Sequence, residues 1–224
     1  MKNQSLVLTK RNLAILLAIA LSITAFIGWR LGHKTVVQPP EEIVDYLFWQ
    51  AKDLTDFKLV GANSKTLVLN DLKGKWSFIF FGYTHCPDVC PLTLGILGQA
   101  FTLLENNPDA FQEIQGVFIS VDPKRDTPEL AKEYASYFSS KFTGVTGDTA
   151  QLDALSRQMS ALYTIHPKEP KESGDNYLVS HNSTIFLVDP QGRLYGRFPP
   201  PQASQEIAEV FIKIRTFYNE GANK

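Results

Sequence analysis

Cys86 and Cys90 are the only cysteines in this chain of 224 residues, and a proline follows each, in the run His85-Cys86-Pro87-Asp88-Val89-Cys90-Pro91. Two thiols at this spacing can exchange with a disulfide or hold a soft metal such as Cu(I). A purely structural bond would contribute little. The chain-entropy model gives a loop of about five residues about 2 kcal/mol, against about 4.7 kcal/mol for one of 100 residues. Proline disfavours the α conformation in the residue before it, so both cysteines are expected on extended backbone. Pro91 suits the first position of a helix, which makes Cys90 the expected N-cap. The positive end of that helix would then lower the thiol pKa of Cys90.

A third metal ligand must come from elsewhere, and the chain has four histidines. His33 falls in a linker. His85 adjoins Cys86, but neighbouring side chains on extended backbone point to opposite faces, so packing or capping is its expected role. His166 precedes Pro167 near a loop and reads as a surface residue. His181 opens the apolar stretch His181–Val188, and in a thioredoxin-like sheet the loop before that strand faces the cysteine turn. From pattern alone, His181 is as readily a structural residue as a ligand.

The elements around these residues read as an α/β fold. Trp76–Tyr83 and Ile114–Val121 are near-continuous apolar runs, as in parallel strands covered on both faces. Between them Leu94, Leu97, Phe101 and Leu104 recur at helical spacing. Asp126-Thr-Pro-Glu129 reads as a helix start with Asp126 at the N-cap, and Asp148-Thr-Ala-Gln151 repeats the signal. Asp56–Leu59 and Thr66–Leu69 predict a β-hairpin. His181–Val188 and Leu194–Phe198 predict a second, closed by a helix carrying Ile207, Val210, Phe211, Ile214 and Phe217. The polar stretch Lys168–Asn176 predicts an exposed loop, a candidate flap over the site. The sum is a thioredoxin-like sandwich with an N-terminal β-hairpin.

Eighteen uncharged residues separate Arg11 from Arg30. That is enough for one transmembrane helix, since about 20 apolar residues cross a bilayer. The expected organisation is a cytoplasmic N-terminus (1–11), a transmembrane anchor (12–30), a linker (31–50) and a thioredoxin-like domain (51–220). Lys2, Lys10 and Arg11 before the helix, against Arg30 and Lys34 after it, put the N-terminus inside and the domain outside. The expected location is therefore the inner (cytoplasmic) membrane, with the domain in the periplasm or an equivalent space. Residues 1–38 hold five basic residues and no acids; the remainder carries 17 basic against 23 acidic ones, a net of −6. Such a body lacks the basic face that nucleic-acid binding requires.

Phe81-Gly-Tyr-Thr-His-Cys-Pro-Asp-Val-Cys-Pro91 resembles the signature of the Sco/SenC family of copper proteins. Val121-Asp-Pro-Lys-Arg-Asp-Thr-Pro-Glu129 resembles that family's second motif, and Tyr177-Leu-Val-Ser-His-Asn-Ser-Thr-Ile-Phe-Leu-Val-Asp-Pro-Gln-Gly192 its third. The likeness implies a thioredoxin fold binding one copper ion through Cys86, Cys90 and His181. It implies a metallochaperone that receives copper from a donor protein, with thiol–disulfide oxidoreductase activity left open beside that role. Its acceptor would be the binuclear copper centre of cytochrome c oxidase subunit II, or another copper acceptor. Ser180 stands where many relatives carry an acid. Asp88, Asp122 and Asp126 are candidates to tune or orient the ligands, beside plainer roles as turn formers and caps. The rival function is a thiol–disulfide oxidoreductase that reduces the cysteines of a copper acceptor; it needs Cys86 and Cys90 but not His181. A peroxide-reducing relative is disfavoured, because Pro87 and Asp88 stand where a threonine is needed.

Overall fold

Spatial contacts divide the chain into an N-terminal unit that contains one long helix and a domain that begins at Pro39. The structure, a computed structural model, describes residues 10–32, 38–166 and 177–222. Helix α1 (Lys10–Gly32) contains the 18-residue window Asn12–Trp29, of mean hydropathy 2.0. At 1.5 Å per residue this window runs about 27 Å, long and apolar enough to cross a membrane. Its two hydroxyl side chains are satisfied within the helix: Ser22 Oγ donates to the Ala18 carbonyl at 2.9 Å and Thr24 Oγ1 to that of Leu21 at 2.9 Å. That is what a lipid surrounding demands of polar groups.

The domain opens with α2 (Glu41–Val44) and strands β1 (Leu47–Asp53), β2 (Lys58–Gly61) and β3 (Thr66–Val68). Then come β4 (Trp76–Gly82), α3 (Val89–Leu104), α4 (Pro108–Gln112) and β5 (Ile114–Ser120). Helix α5 (Pro128–Phe138), β6 (Phe142–Thr146), α6 (Thr149–Met159) and β7 (Tyr163–Ile165) follow. The chain closes with β8 (Val179–His181), β9 (Ile185–Val188), β10 (Arg193–Phe198) and α7 (Ser204–Phe217). Eight strands form one sheet in the order β1-β10-β9-β4-β5-β6-β2-β3, while β7 and β8 make a separate ribbon. Strands β4, β5 and β6 are parallel and β9 and β10 return antiparallel, the thioredoxin-like arrangement expected.

Every residue of β4 is buried, which explains its unbroken apolar sequence. Phe78 meets Phe101 of α3 edge-on at 5.2 Å and Phe211 of α7 at 5.1 Å, so the central strand holds both helices. Each such aromatic pair contributes about 0.5–1.5 kcal/mol beyond its area. The hairpin β2–β3 forms as read, with Leu59 opposite Leu67.

Several expectations need correction. The domain takes in residues assigned to a linker ending at 50: Ile43 is fully buried, and β1 pairs with β10. Helix α5 is capped by Thr127, whose side chain accepts from the Leu130 amide at 3.2 Å, not by Asp126. His181 does not start the apolar strand of the second hairpin. It ends β8, and the hairpin begins at Ile185. Strand β6 was not visible in the pattern because Gly144 interrupts it. A Cβ there would stand 1.8 Å from the Ala131 carbonyl oxygen, so only glycine lets β6 pack on α5.

Candidate metal centre

Cys90 lies in the first turn of α3, with Asp88 at the N-cap. It is therefore helical, not an extended cap residue. Pro91 does not prevent this: the first four helical amides have no intrahelical acceptor, so a proline there removes nothing the helix uses. Asp88 is exposed and makes no side-chain capping bond. Cys86 occupies the turn before the helix, where its amide donates to the Tyr83 carbonyl at 3.3 Å.

Both cysteines are free and buried, Cys86 8 % exposed and Cys90 fully enclosed. The Cys90 amide donates to Cys86 Sγ at 3.4 Å. Gly82 makes room for Cys90, since a Cβ at 82 would stand 2.9 Å from its Sγ and 3.0 Å from Phe118 Cε2. Burial pushes the Cys90 thiol well above its ordinary pKa, opposed by the Tyr83 amide directed at the sulfur. This reverses the lowering expected from the helix end. Loss of hydration in an apolar pocket is the largest cause.

His181 completes the set. Its Nε2 stands 3.0 Å from Cys90 Sγ, and the ligand atoms of Cys86, Cys90 and His181 all lie within 4.8 Å of one another. Nδ1 stands 2.9 Å from the Asn182 carbonyl oxygen. A carbonyl can only accept, so Nδ1 carries the proton and the Nε2 lone pair faces the sulfurs. Burial lowers the His181 pKa, which favours that neutral ring. The edges of Phe80 and Tyr83 hold it at centroid distances of 5.7 and 6.0 Å. No other three-ligand cluster occurs among the described residues.

The remaining candidates take supporting places. His85, its side chain 52 % exposed, turns Nδ1 to Thr84 Oγ1 at 3.1 Å and to Asp126 Oδ1 at 3.3 Å, away from the cluster. His166 Nε2 pairs with Ser180 Oγ at 2.7 Å on the surface. His33 and the stretch Lys168–Asn176, read as a candidate flap, lie outside the described residues. Asp126 is fully buried; it accepts from the Thr84 amide at 2.7 Å, from Thr84 Oγ1 at 2.6 Å and from Ser120 Oγ. It is thus a floor for the cysteine loop. Asp122, also fully buried, pairs with Arg125 and accepts from the Tyr177 hydroxyl. Gly82, Tyr83, Arg125 and Tyr177 were not singled out from sequence, although all four lie within the three motifs.

A family model described as SCO1/SenC matches residues 50–216. An SCO2-like protein of Rickettsia felis is 35 % identical over 162 residues, covering 70 % of this chain and 74 % of that protein. The structure of Arabidopsis thaliana ScoI with copper bound has 30 % identity and a TM-score of 0.65, covering 72 % of this chain and 98 % of that one. Bradyrhizobium japonicum ScoI, also solved with copper bound, has 32 % identity and a TM-score of 0.61, covering 72 % of this chain and 99 % of the other. Sequence motifs, fold and relatives agree. The chain belongs to the SCO1/SenC family.

Proposed function

We propose that this protein is a membrane-tethered copper chaperone. Cys86, Cys90 and His181 hold one copper ion, which the protein receives from a donor and delivers to cytochrome c oxidase subunit II, or uses to prepare its binuclear copper centre. Helix α1 serves as the anchor, with the N-terminus in the cytoplasm and the domain in the periplasm or an equivalent compartment.

One observation carries this reading: His181 Nε2 sits 3.0 Å from Cys90 Sγ with its lone pair turned to the sulfur, because Nδ1–H is committed to the Asn182 carbonyl. Soft thiolates with an imidazole suit copper, whereas a closed structural zinc site takes four protein ligands. Three donors leave a side from which an acceptor can take the ion. Both cysteines must be thiols to bind it, so loading is tied to their redox state. The relatives solved with copper add support from outside the chain. The test is Cu(I) titration of the detergent-solubilised full-length protein against a competing chelator, with His181→Ala beside the wild type. One ion per chain and a clear loss of affinity in the variant are expected. Unchanged affinity and stoichiometry in His181→Ala would reject the three-ligand site.

A second reading rests on the two free thiols themselves. The dithiol could reduce a disulfide in a copper acceptor, passing it two electrons and closing a Cys86–Cys90 bond as two new thiols form on the acceptor. Metal-free reduction of such a disulfide at full rate in His181→Ala would favour it.

A further inference from the structure

The second sequence motif touches both halves of the site without supplying a ligand to it. Arg125 is 9 % exposed in its side chain and forms an ion pair with the fully buried Asp122. Its Nη1 donates to the Tyr177 carbonyl at 3.0 Å, and its guanidinium carbon lies 3.7 Å from the Tyr177 ring centroid. The Tyr177 hydroxyl donates back to Asp122, so the three residues close on one another. The same guanidinium is 5.5 Å from the ring of Tyr83.

Both aromatic residues lead to His181. Tyr177 precedes it by four positions, just before β8. The Tyr83 ring stands nearly perpendicular to the imidazole, at 6.0 Å and 89°. One residue beyond Arg125, Asp126 holds the opposite half through the Thr84 amide at 2.7 Å. A planar guanidinium can pair with a carboxylate, bond a carbonyl and stack on a ring at once, which an ammonium cannot.

We propose that Arg125 is a positioning residue for the metal site: held by Asp122, it grips Tyr177 and so fixes the strand that presents His181 to the two cysteines. The inference rests on the copper reading above. It gives the motif Val121–Glu129 a purpose in spacing, with Asp126 setting the cysteine loop and Arg125 setting the histidine.

The test is a double-mutant cycle in copper affinity on the full-length protein in detergent: wild type, Arg125→Lys, His181→Ala and the double variant. Arg125→Lys should weaken copper binding by about 10-fold, as loss of an outer support typically does. In the His181→Ala background it should cost nothing further, because the ligand it positions is gone. Tyr177→Phe removes one hydroxyl from the same closed triad; it should show a smaller loss with the same dependence on His181, and it carries the cycle if Arg125→Lys fails to fold. An equal loss with and without His181 would overturn the positioning role, as would wild-type affinity in both variants. If His181→Ala itself binds copper like the wild type, the three-ligand reading falls first and this inference with it.

Discussion

The two halves of the site are built on different foundations. Cys90 is fully enclosed in the first turn of α3, beside a β4 buried along its whole length and flanked by β5 and β9. His181 ends a three-residue strand that, among the described residues, pairs with β7 alone, itself largely exposed. The dithiol therefore belongs to the core, while the imidazole is held by side-chain contacts on a satellite ribbon. Local opening is easiest where few apolar contacts and many exposed backbone bonds coincide. On the proposed copper-transfer reading, the histidine side is the one expected to yield when an acceptor takes the ion, while the sulfur side keeps its place.

The largest expected effect tests the core half. Cys90→Ser should abolish copper binding, a loss beyond the roughly 100-fold that changes in outer supports reach. His181→Ala should weaken binding by more than the roughly 10-fold expected for loss of an outer support, yet retain a two-sulfur site, seen as one ion still bound at high copper. Equal losses in the two variants would erase the asymmetry.

Gly82→Ala tests whether the sulfur seat is rigid. The new methyl would meet Cys90 Sγ at 2.9 Å and Phe80 Cε1 at 3.1 Å. Overpacking of a tight core typically costs about 1–3 kcal/mol, and each kcal/mol lowers the Tm of a domain this size by about 2–4 °C. A calorimetric Tm equal to wild type would show that the seat gives way. On the other side, Tyr163→Phe removes the 2.5 Å bond from Tyr163 to Asp153 next to the register pair Tyr163–His181. It should cost about 1 kcal/mol. Amide exchange should quicken in β7 and β8 while β4 stays protected.

The smallest effect is a titration. Burial lowers the His181 pKa below its ordinary value of 6.5 in the metal-free protein. The unfolded chain then takes up the proton first as pH falls. The stability that the neutral ring contributes is thus fully present above pH 6.5 and is lost as pH drops through the folded value. Nitrogen NMR of the imidazole should show Nδ1–H at neutral pH and a midpoint under 6.5. A midpoint above 6.5 would reverse the sign.

Much of this was legible in the sequence because it rests on local chemistry. The apolar runs of β4 and β5, the Asp148 cap and the three motifs each declare themselves within a short contiguous stretch of sequence. Two segments each carry two competing local signals. Asp126-Thr127-Pro128 contains two residues able to cap, and only the buried hydrogen bonds from Thr84 and Ser120 decide that the aspartate turns inward. Cys90-Pro91 carries both an extended preference and tolerance at a helix start, and the helix prevails. The ribbon β7–β8 was not legible, since its partners are far apart in sequence and half exposed. Nor was the role of Arg125, whose contacts with Tyr83 and Tyr177 exist only after folding.

The seating of Cys90 within α3 has a consequence for oxidation. A disulfide requires the sulfurs at about 2.05 Å. The helix and Gly82 hold Cys90 in place, so closure must draw Cys86 and its turn inward. That turn hangs from Asp126 by the Thr84 amide. The thiol–disulfide state of the pair therefore becomes readable at a group that is not sulfur: the hydrogen-exchange rate of the Thr84 amide should report it.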